Sequence, residues 1–191
     1  SIRDDKSVRA VVIAANGPAY SSGHNLKELT ARRSDADKGR AYFAHMMKSC
    51  SDMMQTIVRL PKPVVAAVQG VATAAGCQMV ATCDLAVASD QATFGTPGID
   101  IGLFCSTPMV ALTRNVPRKH AMHMLLTGDH IPAQRALELG LVNSVVPAGS
   151  EREAAIALAD RIAVKSAYTL KVGKEAFYRQ AEMSLADAYT Y

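Results

Sequence analysis

The feature that most constrains this chain is a set of short, unbroken apolar runs rich in β-branched and small residues. Arg9–Ala15 reads RAVVIAA, Val64–Val68 reads VVAAV and Leu85–Ala88 reads LAVA. Runs of this length, without polar alternation and bounded by turn residues, are expected as buried strands. The first ends at Asn16-Gly17-Pro18 and the second follows Pro61 and Pro63. Between them Tyr42, Met46, Cys50, Met53, Ile57 and Val58 recur every three or four positions, which predicts one amphipathic helix over Lys38–Leu60. Its methionines serve as flexible core filler. Further helices are expected over Ser106–Val116 and Arg118–Leu126, parted by Pro117, and over Pro132–Leu139, closed by Gly140. The run LVNSVV reads as another strand, and everything from Glu151 onward as helix. A shift in composition at Pro147–Ser150 divides a mixed α/β part, residues 1–147, from a helical C-terminal region, residues 148–191.

With 191 residues, 49% hydrophobic and 20% charged, the chain can bury one sizeable core. No apolar run approaches the roughly 18 residues needed to cross a bilayer. The first ten residues, SIRDDKSVRA, lack both an apolar signal core and the acid-poor character of a transit peptide. No membrane partner is expected. Cys50, Cys77, Cys83 and Cys105 lie in apolar surroundings without a CxxC pair, so neither a metal site nor a disulfide framework is expected, only reduced buried thiols. The net charge of +4 is mild, and RAYF and PRKH are too short to make a basic patch. No nucleic-acid partner is expected either.

Two segments carry chemistry. AYSSGHNLKEL, Ala19–Leu29, and GVATAAGCQMV, Gly70–Val80, each leave a strand through small residues and enter a helix. Such a turn aims unpaired backbone N–H groups, backed by the helix dipole, at whatever lies beside it. Two of them facing each other would form an oxyanion hole for a carbonyl that gains negative charge. Taken singly, each is better explained by close packing of helix on strand, with the oxyanion hole as the alternative.

The stretches PKPVVAAVQGVATAAGCQMVATCDLAVAS, SSGHNLKEL and LLTGDHIPAQRALELGLVNSVVP together resemble the crotonase superfamily of enoyl-CoA hydratases and isomerases, from about Arg9 to the C-terminus. The ordered set carries the resemblance; no one motif would. It implies an α/β crotonase (ClpP/crotonase-like) spiral of ββα units, entered at the family domain's third or fourth strand, with a C-terminal helical trimerisation region. The implied assembly is a homo-oligomer, a trimer or dimer of trimers. The implied ligand is an acyl-CoA thioester, with coenzyme A entering as part of the substrate and no separate cofactor. Its carbonyl would lie between the N–H groups of Ser22, in SSGH, and Ala75, in AAGC, with Ala74 and Gly76 flanking the second donor. The family usually has glycine where Ala75 stands, and alanine keeps the N–H. Ser22, Gly23, His24 and Asn25 match the loop that follows the pantetheine and adenine, and Lys27 is placed to meet phosphate. Asn25 replaces the family's usual aspartate.

The sequence then departs from the pattern. Gln78 and Gly98 stand where a hydratase of this family carries its two glutamates, and Ser106 stands where an isomerase can carry its acid. None moves a proton at neutral pH. A positioned general acid or base is typically worth about 10²–10⁴-fold in rate, so ordinary hydration is expected to be severely suppressed. The resemblance is to the subgroup of enoyl-CoA hydratase domain-containing proteins whose glutamates are replaced. Several side chains could stand in. His24 adjoins the first donor and titrates in the useful range, or is a hydrogen-bonded loop residue. Asp100 could share a face with Gly98 if GIDIG is strand-like, or be a surface carboxylate. Cys105 could be polar lining or an inert thiol. Gln78 could orient water or hydrogen-bond the acyl chain.

The expectation is an acyl-CoA-binding protein of fatty-acid metabolism that stabilises an enolate, acting by decarboxylation or double-bond migration. The alternative is a catalytically silent acyl-CoA-binding or assembly subunit. Its location would be cytoplasmic in a bacterium, the favoured case, or the mitochondrial matrix in a eukaryote.

Overall fold

The computed structural model describes all 191 residues. The chain runs β1 (Val11–Ala14), β2 (Ala19–Ser21), α1 (Leu26–Arg32), α2 (Arg40–Val58), β3 (Val64–Val68), β4 (Val71–Thr73) and α3 (Ala75–Thr82). It continues through β5 (Leu85–Ser89), β6 (Thr93–Gly95), a 3₁₀ turn (Pro97–Ile101), α4 (Ser106–Leu112), α5 (Arg118–Thr127), β7 (Ile131–Pro132) and α6 (Ala133–Glu138). It ends with β8 (Ser144–Val146), α7 (Glu151–Ala163), α8 (Ala167–Gln180) and α9 (Leu185–Thr190). No helix is long and apolar enough to cross a membrane.

The apolar runs read from the sequence form one sheet, in the order β1-β3-β5-β8, with every pair parallel. All five residues of β3 are buried, as expected of a strand covered on both faces. On one face Val65, Ala67 and Val87 pack under Ala155 and Ala159 of α7. On the other, Val64, Ala66 and Val68 join a larger core with Met54, Ile57, Cys77, Val80 and Phe94. The alanines of β3 bring both helical layers close to the backbone.

A second sheet, β2-β4-β6-β7, was not legible from the sequence. Its strands β2, β4 and β6 are three residues each and run parallel, while β7 pairs antiparallel with β6. Each of the three follows a strand of the first sheet after a tight connection and leads into helix, so the chain repeats a strand-strand-helix unit three times.

Asp84, at the foot of β5, ties the C-terminal helices to this core. Its Oδ2 accepts from Val64 N–H at 2.7 Å and from Lys174 Nζ at 2.6 Å, and its Oδ1 accepts from Tyr178 O–H at 2.8 Å. Lys174 Nζ also donates to the carbonyls of Ile57 and Lys62, both at 3.0 Å, which uses all three ammonium hydrogens. Burial and the Asp84 carboxylate push the Tyr178 phenol up, so it remains a donor.

Two tests follow from this packing. Lys174→Met leaves Asp84 unpaired and largely buried, and is expected to lower the unfolding free energy by about 3 kcal/mol, read from urea denaturation. Burial pushes the Cys77 thiol up to about 12 from an ordinary 9.0. In the unfolded chain that thiol ionises first, so the stability it contributes is present below about pH 9 and is lost as pH rises toward 12. Cys77→Ala should therefore flatten the alkaline loss of stability, measured as urea midpoints at about pH 8 and about pH 11.

Candidate functional site

Because β2 and β4 are parallel, with Ser21 opposite Ala72, the chain leaves both strands at the same edge of the second sheet. The first departure is Ser22-Gly23. Gly23 has φ +82, and a Cβ there would stand 3.1 Å from Ala75 N and 3.2 Å from Ala74 Cβ. Glycine thus supplies both the conformation and the close approach of one bend to the other. Ser22 is exposed, and its N–H has no acceptor within the protein.

The second departure is Ala74-Ala75. Ala74 adopts φ +52, ψ −120, a conformation that costs a non-glycine residue of the order of 1–3 kcal/mol and persists only where the surroundings impose it. Its N–H donates to Gly95 O at 2.9 Å, and its carbonyl accepts the first bond of α3, from Gln78 N–H at 3.0 Å. Ala75 is the first helical residue, so its N–H has no partner inside the helix, and no side chain caps that end. Two uncapped N–H groups therefore occupy abutting bends, one at the positive end of a helix. Gly76 serves packing instead, since a Cβ there would stand 2.2 Å from Ser21 O; its absence lets α3 lie against β2.

Gln78 follows Ala75 by three positions on the same helical face, and helical side chains lean toward the N-terminus, here toward the bend. It is only 6% exposed, and its Oε1 has no hydrogen-bond partner. A buried amide acceptor without a donor is unusual.

Gly98 lies in the 3₁₀ turn. A Cβ there would stand 2.7 Å from both Cys105 Sγ and Leu103 O, and Leu103 N–H donates to Gly98 O at 2.8 Å. The place of a larger side chain is filled by the 103–105 loop. The strand-like reading of GIDIG is corrected: in a three-residue period, positions 98 and 100 do not share a face. Asp100 instead lies against Gly128, where a Cβ would meet its Oδ2 at 2.9 Å. Burial raises the Cys105 thiol, which leaves it a neutral filler at ordinary pH. Ser106 opens α4, exposed, with its hydroxyl donating to Phe104 O at 3.3 Å.

On the loop after the first bend, Asn25 Oδ1 accepts from Lys27 N–H at 3.1 Å and caps α1. Asparagine and aspartate cap helices equally well, which accounts for the exchange on structural grounds. His24 is half-buried and Lys27 exposed. The fold thus gathers Ser22, Gly23, Ala74, Ala75 and Gln78 at one edge. A cavity of about 1390 Å³ lies elsewhere, between the N-terminal segment and α8, with Lys62, Lys174 and Tyr178 in its wall and none of the bend residues. Sequence reading missed the packing of Cys105 on Gly98 and the approach of His130 to Thr73, at 3.1 Å between Nε2 and Oγ1. A separation of 57 positions leaves no local signal for the latter.

Parallel strand-strand-helix units with paired bends at the mouth of a second sheet define the crotonase fold. The family profile described as "Enoyl-CoA hydratase/isomerase" matches residues 1–191, and the chain belongs to that family. It is 48% identical over 186 residues to the Rattus norvegicus "Enoyl-CoA hydratase domain-containing protein 3, mitochondrial", covering 97% of this chain and 60% of that protein. The chain therefore spans less than two thirds of the length of such curated relatives. The crystal structure of human enoyl-CoA hydratase domain-containing protein 3 superposes with a TM-score of 0.91 at 48% identity, over 98% of this chain and 72% of that one. A Mycobacterium smegmatis enoyl-CoA hydratase structure gives a TM-score of 0.92, also at 48% identity, over 99% of this chain and 72% of that one.

The geometry at Gly98 makes a sharp prediction. Gly98→Glu should destabilise the fold by about 1–3 kcal/mol through overpacking, and Cys105→Ala in the same chain should restore part of the loss but not all, because Leu103 O is backbone. Thermal melts of the single and double variants check this.

Proposed function

We propose that this chain binds an acyl-CoA thioester, with the thioester oxygen held between the N–H groups of Ser22 and Ala75. The observation that carries this reading is the pair of partnerless N–H groups on abutting bends. Such donors grip an oxygen more tightly as charge grows on it, by roughly 2.7–4 kcal/mol per donor in comparable sites. The bound group would thus be drawn toward its enolate.

The reaction best suited to these residues needs that stabilisation and no protein base. Decarboxylation of a malonyl-type thioester is of this kind: the breaking C–C bond leaves its electrons on the enolate, carbon dioxide departs, and water later supplies the proton. Double-bond migration would require a base to remove a proton, and Gln78, Gly98 and Ser106 supply none. Coenzyme A arrives as part of the substrate, His24 and Lys27 lie toward its pantetheine and phosphate end, and no further cofactor is invoked. The closed position at Gly98 favours a second reading, an acyl-CoA-binding or assembly subunit without turnover.

The same proposal places the protein in fatty-acid metabolism, as a homo-oligomer built through its C-terminal helices. In support, Tyr168, Phe177, Leu185 and Tyr189 are exposed on α8 and α9. The favoured bacterial cytoplasm gives way to the mitochondrial matrix, because relatives at 46–50% identity carry "mitochondrial" in their names.

A thioether analogue isolates the grip on the oxygen. Calorimetry should show butyryl-CoA binding at least about tenfold more tightly than S-butyl-CoA, which lacks the carbonyl, since two hydrogen bonds are at stake. Equal affinities would remove the oxyanion hole from the account. Incubation with crotonyl-, dienoyl- and malonyl-type thioesters then separates the readings: carbon dioxide release supports the enzyme, and binding without any product supports the silent subunit.

A further inference from the structure

The strained bend at Ala74 must be imposed by its surroundings, and those surroundings are traceable. Thr73, the residue before it, ends β4 beside Gly95 of β6. Gly95 O accepts from Ala74 N–H at 2.9 Å and from Thr73 Oγ1–H at 3.4 Å. Thr73 Oγ1 also lies 3.1 Å from His130 Nε2. With the hydroxyl hydrogen directed to Gly95 O, the ring nitrogen is the donor in that contact. His130 comes from the connection into β7, and β7 pairs with β6 so that Ile131 stands opposite Phe94. The imidazole consequently lies over Gly95: a Cβ on that glycine would meet Cγ, Cδ2 and Nε2 of the ring, each at 2.8 Å.

We propose that His130 is a positioning residue for the bend at Ala74, fixing Thr73 through Nε2 and so holding Ala74 in the conformation that sets the Ala75 N–H at the start of α3. The segment TGDHIP thereby acquires a role at the site although His130 need not touch the ligand. This rests on the acyl-CoA reading only for its effect on affinity; the effect on the bend is independent of any ligand. Gly95 belongs to the same device, because it is the missing side chain there that admits the ring.

The experiment has two arms. Amide hydrogen exchange on the protein without ligand should show faster exchange at Ala74, whose N–H is bonded to Gly95 O, in His130→Ala than in the parent. His130→Gln, which returns an N–H at a similar reach, should restore slow exchange. Gly95→Ala, which displaces the exposed ring, should reproduce His130→Ala, and the double variant should be no worse than either single one. Calorimetry with butyryl-CoA should show affinity falling about tenfold in His130→Ala and Gly95→Ala, the usual worth of one hydrogen bond, and recovering in His130→Gln. Unchanged exchange in His130→Ala overturns the positioning role, as would additive losses in the double variant. Failure of the parent protein to bind butyryl-CoA overturns the acyl-CoA reading instead, and leaves the exchange result to decide the role of His130.

Discussion

The parallel pairing of β2 with β4 is the constraint on which the site depends. Each strand has only three residues, and a ladder so short holds little on its own. It persists because both strands are tethered at their starts to the long strands β1 and β3, themselves locked in register from Val11 against Val64 to Ala14 against Ala67. Parallel order then forces both exits to the same edge. Antiparallel order would send them to opposite ends of the sheet, and the two bends could not meet.

The small residues around that edge divide their labour. Gly23 and Gly76 are small because backbone atoms of the neighbouring unit occupy the space a Cβ would need, at 3.1 Å and 2.2 Å respectively. Ala74 has the opposite problem, since it carries a Cβ into a conformation better suited to glycine. The structure accepts strain at the residue preceding the half-buried Ala75 and minimises bulk on either side. The other non-glycine residue with positive φ is Lys38, so strain of this kind is confined to two positions of the chain.

Much of the first sheet was legible because burial on both faces leaves a compositional trace: VVAAV coincides with β3, and the stripe from Tyr42 to Val58 lies within α2. The second sheet left no such trace. Three residues are too few for a period, and Thr93–Gly95 looks like loop. GIDIG misled for the same reason, since alternation over five residues fits a 3₁₀ turn as well as a strand. The two bends were readable as small-residue entries into helix, whereas the capping of α1 by Asn25 emerged only from the structure. The Asp84–Lys174 pair, 90 positions apart, and the His130–Thr73 contact were not, because tertiary polar contacts leave no spacing rule in a single sequence.

The surroundings of Gly98 and Gln78 differ in kind, one closed by packing and the other holding an unpartnered acceptor. Had Gly98 merely lost a side chain, a void would remain beside it; instead Cys105 Sγ and Leu103 O lie where the Cβ would be, and the loop is fastened by the Leu103 N–H bond to Gly98 O. On the other side the Gln78 side chain, an amide that does not titrate, is buried with its Oε1 unpartnered. A buried acceptor without a donor costs roughly 1–3 kcal/mol, a penalty that a bound hydroxyl, amide or water would remove. On the acyl-CoA reading proposed above, the site would offer two N–H groups to an oxygen while one flank is closed and the other offers only hydrogen bonds. On that proposal, chemistry would draw its driving force from a group already on the ligand, so bond cleavage that releases its own leaving group suits these residues better than addition of water.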